Sequence, residues 1–269
     1  MRWDGDDMPR LAANLSFLFT ELPLLERVGA AAAAGFRGAE ILFPYEQIAD
    51  EIAAAFREGG IAPVLFNTPA GNWDAGERGF AAIPGAETRF RIALPEAIAY
   101  ARIVGCRRLH VMAGIPPAGA DPAACEAVFV ENLRLAAKTA APHGITILIE
   151  PINPIDIPGY FLTRQDQAAR ILETAGMENA ALQMDFYHCA RVEGDPAGCF
   201  RLNFPRIGHV QIAGVPDRNE PDGGEVDYRP LFAMIDGMGY EGWVACEYNP
   251  RAGTLAGLGW ARDWGIVTA

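Results

Sequence analysis

The sequence predicts a single α/β domain folded as a closed (β/α)8 TIM barrel. Three observations carry that prediction. Eight short apolar segments of strand length recur along the chain, helical stretches separate them, and glycines stand where the helices should stop. A length of 269 residues suits one barrel of this kind. A doubly wound open sheet is the structural alternative. It is weakened because no G-x-G-x-x-G follows the first strand, where a dinucleotide-binding sheet would carry it.

In chain order, the strands read as residues 11–17 (LAANLSF), 38–43 (GAEILF), 62–67 (APVLFN), 108–113 (RLHVMA), 146–151 (TILIEP), 180–188 (AALQMDFYH), 207–214 (IGHVQIAG) and 241–249 (EGWVACEYN). Helical segments fall between them, among them 24–34, 87–104, 122–141, 164–174 and 231–237. Gly35, Gly105, Gly144, Gly176 and Gly239 each sit near a predicted helix end, as the stop chemistry requires. Two connections are long, 68–86 after the third strand and 215–229 after the seventh. Long loops in a compact domain are often lids or binding loops. No second domain is visible. Residues 1–7 read as a polar extension ahead of a barrel spanning 8–269.

Composition removes several classes of function. The chain is 51% hydrophobic, with its 29 glycines and 20 prolines spread throughout, an ordinary globular balance. No apolar run approaches the roughly 20 residues that span a bilayer, and the acidic amino terminus lacks the apolar core of a signal peptide. Five scattered cysteines without a C-x-x-C pair argue for a reducing compartment, the cytoplasm, and against a disulfide framework or a thiolate zinc site. A net charge of −12 repels nucleic acid, and an acidic small-molecule substrate would need a local arginine. The one lysine, Lys138, lies in a helical run, which excludes Schiff-base chemistry. Neither a G-x-S-x-G elbow nor a glycine-rich phosphate loop is present, so an unphosphorylated substrate is favoured.

Four strands finish in polar side chains. Glu150, Asp185, Gln211 and Glu247 close or line strands five to eight, spaced by about one βα unit each, so the topology delivers them to one rim. An inward Glu150 turns Ile147 and Ile149 outward, and an inward Glu247 and Gln211 do the same for Val244, Cys246, Val210 and Ile212. Three carboxylates converging inside a barrel repel one another, and a divalent cation is the simplest remedy. Four oxygen donors suit Mg²⁺ or Mn²⁺ better than zinc. The bland alternative is that each acid caps the next helix or meets a surface arginine. His188, three residues past Asp185, either bonds a substrate oxygen or a nearby backbone carbonyl. His110 and His209 read as buried, bonded core groups and His143 as exposed. Glu40 either lines the pocket or pairs with an arginine.

The segments RLAANLSFLFTELP, AEILFPYE, LFNTPAGNWDAGERG, ILIEPIN, GHVQIAGVPDRNEPDGGEVDY and CEYNPRAGTLAGLGW resemble the hydroxypyruvate isomerase family of the xylose-isomerase-like TIM barrels, which includes the 2-oxo-tetronate isomerases. The resemblance runs from about Pro9 to Trp260, and Met8-Pro9 resembles the usual start of such proteins. It implies that Glu150 and Glu247 are the acid/base pair, that both bind the metal with Asp185 and Gln211, and that His188 and Arg218 contact substrate. Arg251 competes with Arg218 for that role, and a surface pair with Glu220 or Asp222 is the alternative for Arg218. The implied reaction converts hydroxypyruvate to tartronate semialdehyde, or a four-carbon analogue, through an enediolate. The partner is therefore a small hydroxy-oxo acid rather than nucleic acid or membrane, with a homo-oligomer left open. A ketose epimerase of the same superfamily is the runner-up. A metal-dependent endonuclease would need more histidines and a basic face, and a silent sugar-acid binding protein would have no use for both glutamates.

Overall fold

The computed structural model describes residues 9–266, so the expected extension at 1–7 lies outside the described residues. Eight parallel strands close into a barrel in sequence order. They are β1 (Arg10–Asn14), β2 (Gly38–Ile41), β3 (Ala62–Asn67), β4 (Arg108–His110), β5 (Thr146–Ile149), β6 (Ala180–Asp185), β7 (Ile207–Ile212) and β8 (Trp243–Cys246). β8 pairs with β1, with Ala245 opposite Ala12, which leaves no sheet edge. Around the barrel run α1 (Leu24–Ala33), α2 (Ala49–Gly59), α3 (Glu87–Val104), α4 (Pro122–Ala140), α5 (Gln165–Ala175), α6 (Phe186–Glu193), α7 (Pro196–Asn203), α8 (Tyr228–Gly237) and the short α9 (Thr254–Gly257).

The core has two parts, as the strand alternation predicts. Outward-facing Ile147, Ile149, Val210, Ile212, Val244 and Cys246 belong to the large shell between strands and helices. Inside the barrel floor a smaller cluster holds Ala12, Val64, Leu65, Leu148 and Ala245, with Ala181 and Trp243 packed on it. All five glycines expected at helix ends have positive φ, from 64° to 97°. The missing Cβ makes that left-handed stop cheap.

Several strands are shorter than the sequence expects, β1 ending at Asn14, β4 at His110 and β8 at Cys246, and in one place the difference shapes the site. The sixth strand ends at Asp185 instead of running to residue 188, and α6 begins at once. Asp185 is the N-cap, its Oδ1 accepting from Tyr187 N at 2.7 Å. The apolar pattern of ALQMDFY fits a strand, but the cap decides where the helix starts. α6 and α7 fill a connection in which no helix was read.

Space is tight on the barrel floor. A Cβ built on Gly38 in β2 would stand 2.7 Å from Val64 Cγ2 and 2.9 Å from the Trp243 ring. Gly38→Val should therefore cost about 1–3 kcal/mol through overpacking. Urea unfolding followed by circular dichroism should show the lowered midpoint, while an unchanged midpoint would show that Trp243 swings aside freely.

Candidate active site

Register places the polar side chains. Asp185 on β6 lies opposite Gln211 on β7, Gln183 lies opposite His209, and Asn14 on β1 lies opposite Glu40 on β2. Glu150 and Glu247 each follow the last residue of their strands. Asp185 and Gln211 are fully buried, and Glu150 and Glu247 are each 5% exposed. The fold thus brings together all four strand-end groups named from the sequence.

Two glutamines join the glutamates. Gln183 Nε2 donates to Glu150 Oε2 at 2.9 Å and to Gln211 Oε1 at 2.7 Å. Gln211 Nε2 in turn donates to Glu40 Oε1 at 2.7 Å and, in a short bond, to Glu247 Oε2. The Gln211 oxygen is thus directed at Gln183, and its nitrogen faces the carboxylates. Below this layer Glu40 accepts from Asn14 Nδ2 at 2.7 Å and meets His209 Nε2 at 2.8 Å, so its partners are amides and a histidine rather than an arginine.

His188 occupies the first turn of α6, and its proton can be assigned. Asn153 Oδ1 accepts from Ile155 N and Asp156 N, which turns Asn153 Nδ2 toward His188 Nδ1 at 2.7 Å. Nδ1 is therefore an acceptor and Nε2 carries the hydrogen in the neutral ring. Burial first, then Arg218 and His110, holds the imidazole well below its usual pKa. That Nε2–H points between Glu150 Oε1 at 3.7 Å and Asp185 Oδ2 at 3.6 Å. The partner of His188 is thus a side-chain amide, not the backbone carbonyl weighed as the alternative. His110 and His209 are buried as expected.

Arg218 reaches over the mouth from the β7–α8 loop. Its Nη2 bonds Glu247 Oε1 at 2.7 Å and stands 3.8 Å from Asp185 Oδ2, while Nη1 meets Asp156 Oδ2 at 3.3 Å. The guanidinium lies over the rings of Phe17 and Tyr187, at 4.9 and 5.1 Å. Its backbone is left-handed, with φ 55°, held by Arg218 N donating to Gly214 O and Asn249 N donating to Arg218 O, both at 2.8 Å. The surface pair weighed for Arg218 belongs instead to Arg251, which bonds Glu220 and Asp222 and is itself about half exposed. Arg251 lines a separate cavity of about 750 Å³ with Trp260 and Trp264.

Burial and mutual repulsion hold the acids up. Glu150 is pushed well above the carboxylate range by burial, then by Glu247 and Asp185. Glu247 is likewise raised by burial, against the pull of Arg218. Asp185 is raised to about 6, again by burial, with Arg218 opposing. Arg218 stays charged despite its own burial because Glu247 and Asp185 face it. One oxygen, Asp185 Oδ2, is buried without a hydrogen-bond partner. Donor atoms of Glu150, Asp185 and His188 lie within 4.8 Å of one another, and the two carboxylates supply oxygen donors and charge that fit a divalent cation, while His188 presents its N–H rather than a lone pair. Gln183, Asn153 and Asp156 went unread in the sequence. The signal for Gln183 was present, since it shares the inward phase of Asp185 two residues on.

A closed parallel barrel whose carboxyl end gathers buried acids, an arginine and an oriented histidine has the build of a barrel enzyme. The profile of the xylose isomerase-like TIM barrel matches residues 28–264. The 2-oxo-tetronate isomerase of Cupriavidus necator is 52% identical over 96% of this chain and 99% of its own. The hydroxypyruvate isomerase of Escherichia coli K12 is 44% identical over 94% and 98%. A crystal structure titled AP endonuclease, family 2, from Brucella melitensis superposes with a TM-score of 0.94 at 48% identity, covering 96% of this chain and all of that one. The chain belongs to the xylose isomerase-like TIM barrel family, in the branch of the hydroxypyruvate and 2-oxo-tetronate isomerases.

The raised Asp185 sets a test on stability. Its folded pKa of about 6 exceeds the ordinary 3.8, so the folded state binds the extra proton between those values. Stability then falls as pH rises from about 4 to about 6. In chelator-treated protein, Asp185→Asn keeps the cap oxygen and should gain about 1–3 kcal/mol at pH 8 but nothing near pH 4. Urea titrations at both pH values check this, and a gain independent of pH would contradict it.

Proposed function

We propose that the protein is a divalent-cation-dependent aldose–ketose isomerase of a small hydroxy-oxo acid, hydroxypyruvate or a 2-oxo-tetronate. The carrying observation is the pair Glu150 and Glu247, buried, raised in pKa and bridged by Gln183 and Gln211. The names of the relatives supply the reaction class and substrate class. Glu150, Asp185 and Glu247 would hold Mg²⁺ or Mn²⁺, hard cations that match carboxylate oxygens. Gln211 would join the set through its amide oxygen only by turning its amide over, since that oxygen now accepts from Gln183 and the nitrogen faces Glu247. When bound, the cation polarises the substrate carbonyl and offsets negative charge as it develops.

The chain's own groups divide the proton work. Glu247, paired with Arg218 against its burial, is the more readily ionised of the two glutamates, so it removes the proton from the hydroxymethyl carbon. Glu150 has Gln183 beside it and only the edges of His110 and His188, so it keeps the proton that is returned to the neighbouring carbon. His188 Nε2–H donates to a substrate oxygen during the exchange and steadies the enediolate. Arg218 receives the substrate carboxylate on the edge now facing Asp156, the longer of its two hydrogen bonds to carboxylates.

Glu150→Gln and Glu247→Gln should each lower turnover by about 10²–10⁴. In D₂O the product should carry deuterium. The two variants should differ in one respect: Glu150→Gln still exchanges the hydroxymethyl proton of substrate with solvent, and Glu247→Gln does not. Proton NMR reads both, and the reverse pattern would exchange the two roles. Full turnover by chelated, verified metal-free protein would remove the cation from the reading.

Arg218→Ala should reduce kcat/KM for the acid by roughly 10²-fold, the order for a lost charge-assisted pair. An uncharged ketose analogue should lose much less, since it keeps only the effect of Arg218 on Glu247. Equal losses for both substrates would reject the carboxylate contact.

A further inference from the structure

A second group of donors lies away from the mouth, at the far end of α6. Cys189 and Glu193 stand one turn apart on the same face of that helix, and Cys199 reaches them from α7. Glu193 Oε2 accepts from both thiols, at 2.9 Å from Cys199 Sγ and 3.4 Å from Cys189 Sγ. The three donor atoms lie within 4.8 Å of one another. The other oxygen, Oε1, accepts from Gln165 N at 2.8 Å and has Arg164 Nη2 at 3.9 Å, which leaves Oε2 for the thiols. Gln165, the first residue of α5, adds an independent sign. The residue is 2% exposed, yet neither Oε1 nor Nε2 has a hydrogen-bond partner. Buried amides are almost always satisfied, so an unsatisfied one on the residue whose backbone N–H holds Glu193 asks for a ligand.

We propose that Cys189, Glu193 and Cys199 form a binding site for a thiophilic divalent cation of the zinc type, with the Gln165 amide oxygen or a water as fourth donor. Tetrahedral zinc with bonds of about 2.3 Å to sulfur and 2.0 Å to oxygen sets its ligand atoms about 3.5–3.8 Å apart. The contacts of 2.9 and 3.4 Å to Glu193 are close to that size, and side-chain adjustment supplies the difference. The exchange balances: the cation enters, two thiols become thiolates, and two protons leave to solvent, while Glu193 stays a carboxylate. Softness keeps the two sites apart, since the all-oxygen carboxylates of the mouth favour Mg²⁺ or Mn²⁺ and the sulfurs favour zinc. Cys199 is only partly buried, which gives the ion a way in. The absence of a C-x-x-C pair had argued against such a site, but the turn between α6 and α7 brings together cysteines ten residues apart. Because α6 is capped by Asp185 and carries His188, a cation here would fasten that helix to α7.

Cobalt(II) titration of the reduced, full-length protein in excess Mg²⁺ tests the site. One equivalent should produce a thiolate-to-cobalt charge-transfer band that Zn²⁺ abolishes by displacement. The band should vanish in Cys199→Ser and persist in Glu150→Gln. Should Cys199→Ser fold poorly, alkylation of the wild-type protein gives a second reading, with Zn²⁺ slowing modification of Cys199 by about tenfold or more in peptide mass spectra. No thiolate band in the wild type, an unchanged band in Cys199→Ser, or alkylation indifferent to Zn²⁺ would each overturn the proposal.

Discussion

Four carboxylates share the interior of one barrel mouth, and the arrangement around them follows from the difficulty of keeping them there. Glu40, Glu150, Asp185 and Glu247 are all 5% exposed or less. A buried ionised carboxylate costs several kcal/mol unless it is paired and bonded. The chain does not treat the four alike. Glu40 is bonded by Asn14, Gln211 and His209, and Glu247 by Arg218 and Gln211. Glu150 has a single strong donor, Gln183, and Asp185 keeps one oxygen with none. Support is complete at the floor and thins toward the opening. Unmet bonding capacity at the opening is what a substrate or cation would use, whereas Glu40 has little left to offer either.

Neutral groups do most of the supporting, and that choice has a chemical reason. A second or third arginine would hold every acid ionised and leave no proton to exchange. Amides bond either oxygen state without fixing the charge, so Gln183 and Gln211 can join Glu150 to Glu247 while both remain able to titrate. Asn153 works similarly on His188. Its oxygen is taken up by the backbone N–H groups of Ile155 and Asp156, and its nitrogen then sets the tautomer. One guanidinium, Arg218, suffices for the fixed charge. It is held between two aromatic rings by a strained left-handed backbone, the type of strain that concentrates at functional positions.

The barrel and its rim could be read from the sequence because both depend on local patterns. Strand alternation placed Ile147 and Ile149 on the outer shell and Glu150 inside, and helix-stop glycines marked the joints. Spacing by one βα unit then put Glu150, Asp185, Gln211 and Glu247 on a common rim. Non-local matters could not be read that way. Asp185 does what the bland reading gave it, capping α6 with Oδ1, and also presents Oδ2 to the mouth. A residue-by-residue choice between cap and site residue had no place for both. Loop geometry separates Arg218 from Arg251, bringing the former to Glu247 at the mouth and the latter to Glu220 and Asp222. Gln211 arrived at the expected place with its nitrogen forward, because Gln183, on the neighbouring strand, offers only a donor to its oxygen.

Kinship within this family leaves a choice of chemistry open, since a chain titled AP endonuclease shares 48% identity and nearly the whole fold. Fold does not decide function, so charge and donor set must. A nucleic acid presents a row of phosphates, and binding it means neutralising several of them with basic side chains. This chain carries a net charge of −12, and the guanidinium that reaches the mouth is already shared among Glu247, Asp185 and Asp156. A single arginine could meet one substrate carboxylate by giving up its bond to Asp156, but it cannot track a polyanion. The same count explains why a small acid is tolerated at all. On the proposed reading, one incoming carboxylate would take the place of Asp156 on Arg218 and add a single charge beside a guanidinium, whereas each further phosphate would face the remaining acids without a counter-charge.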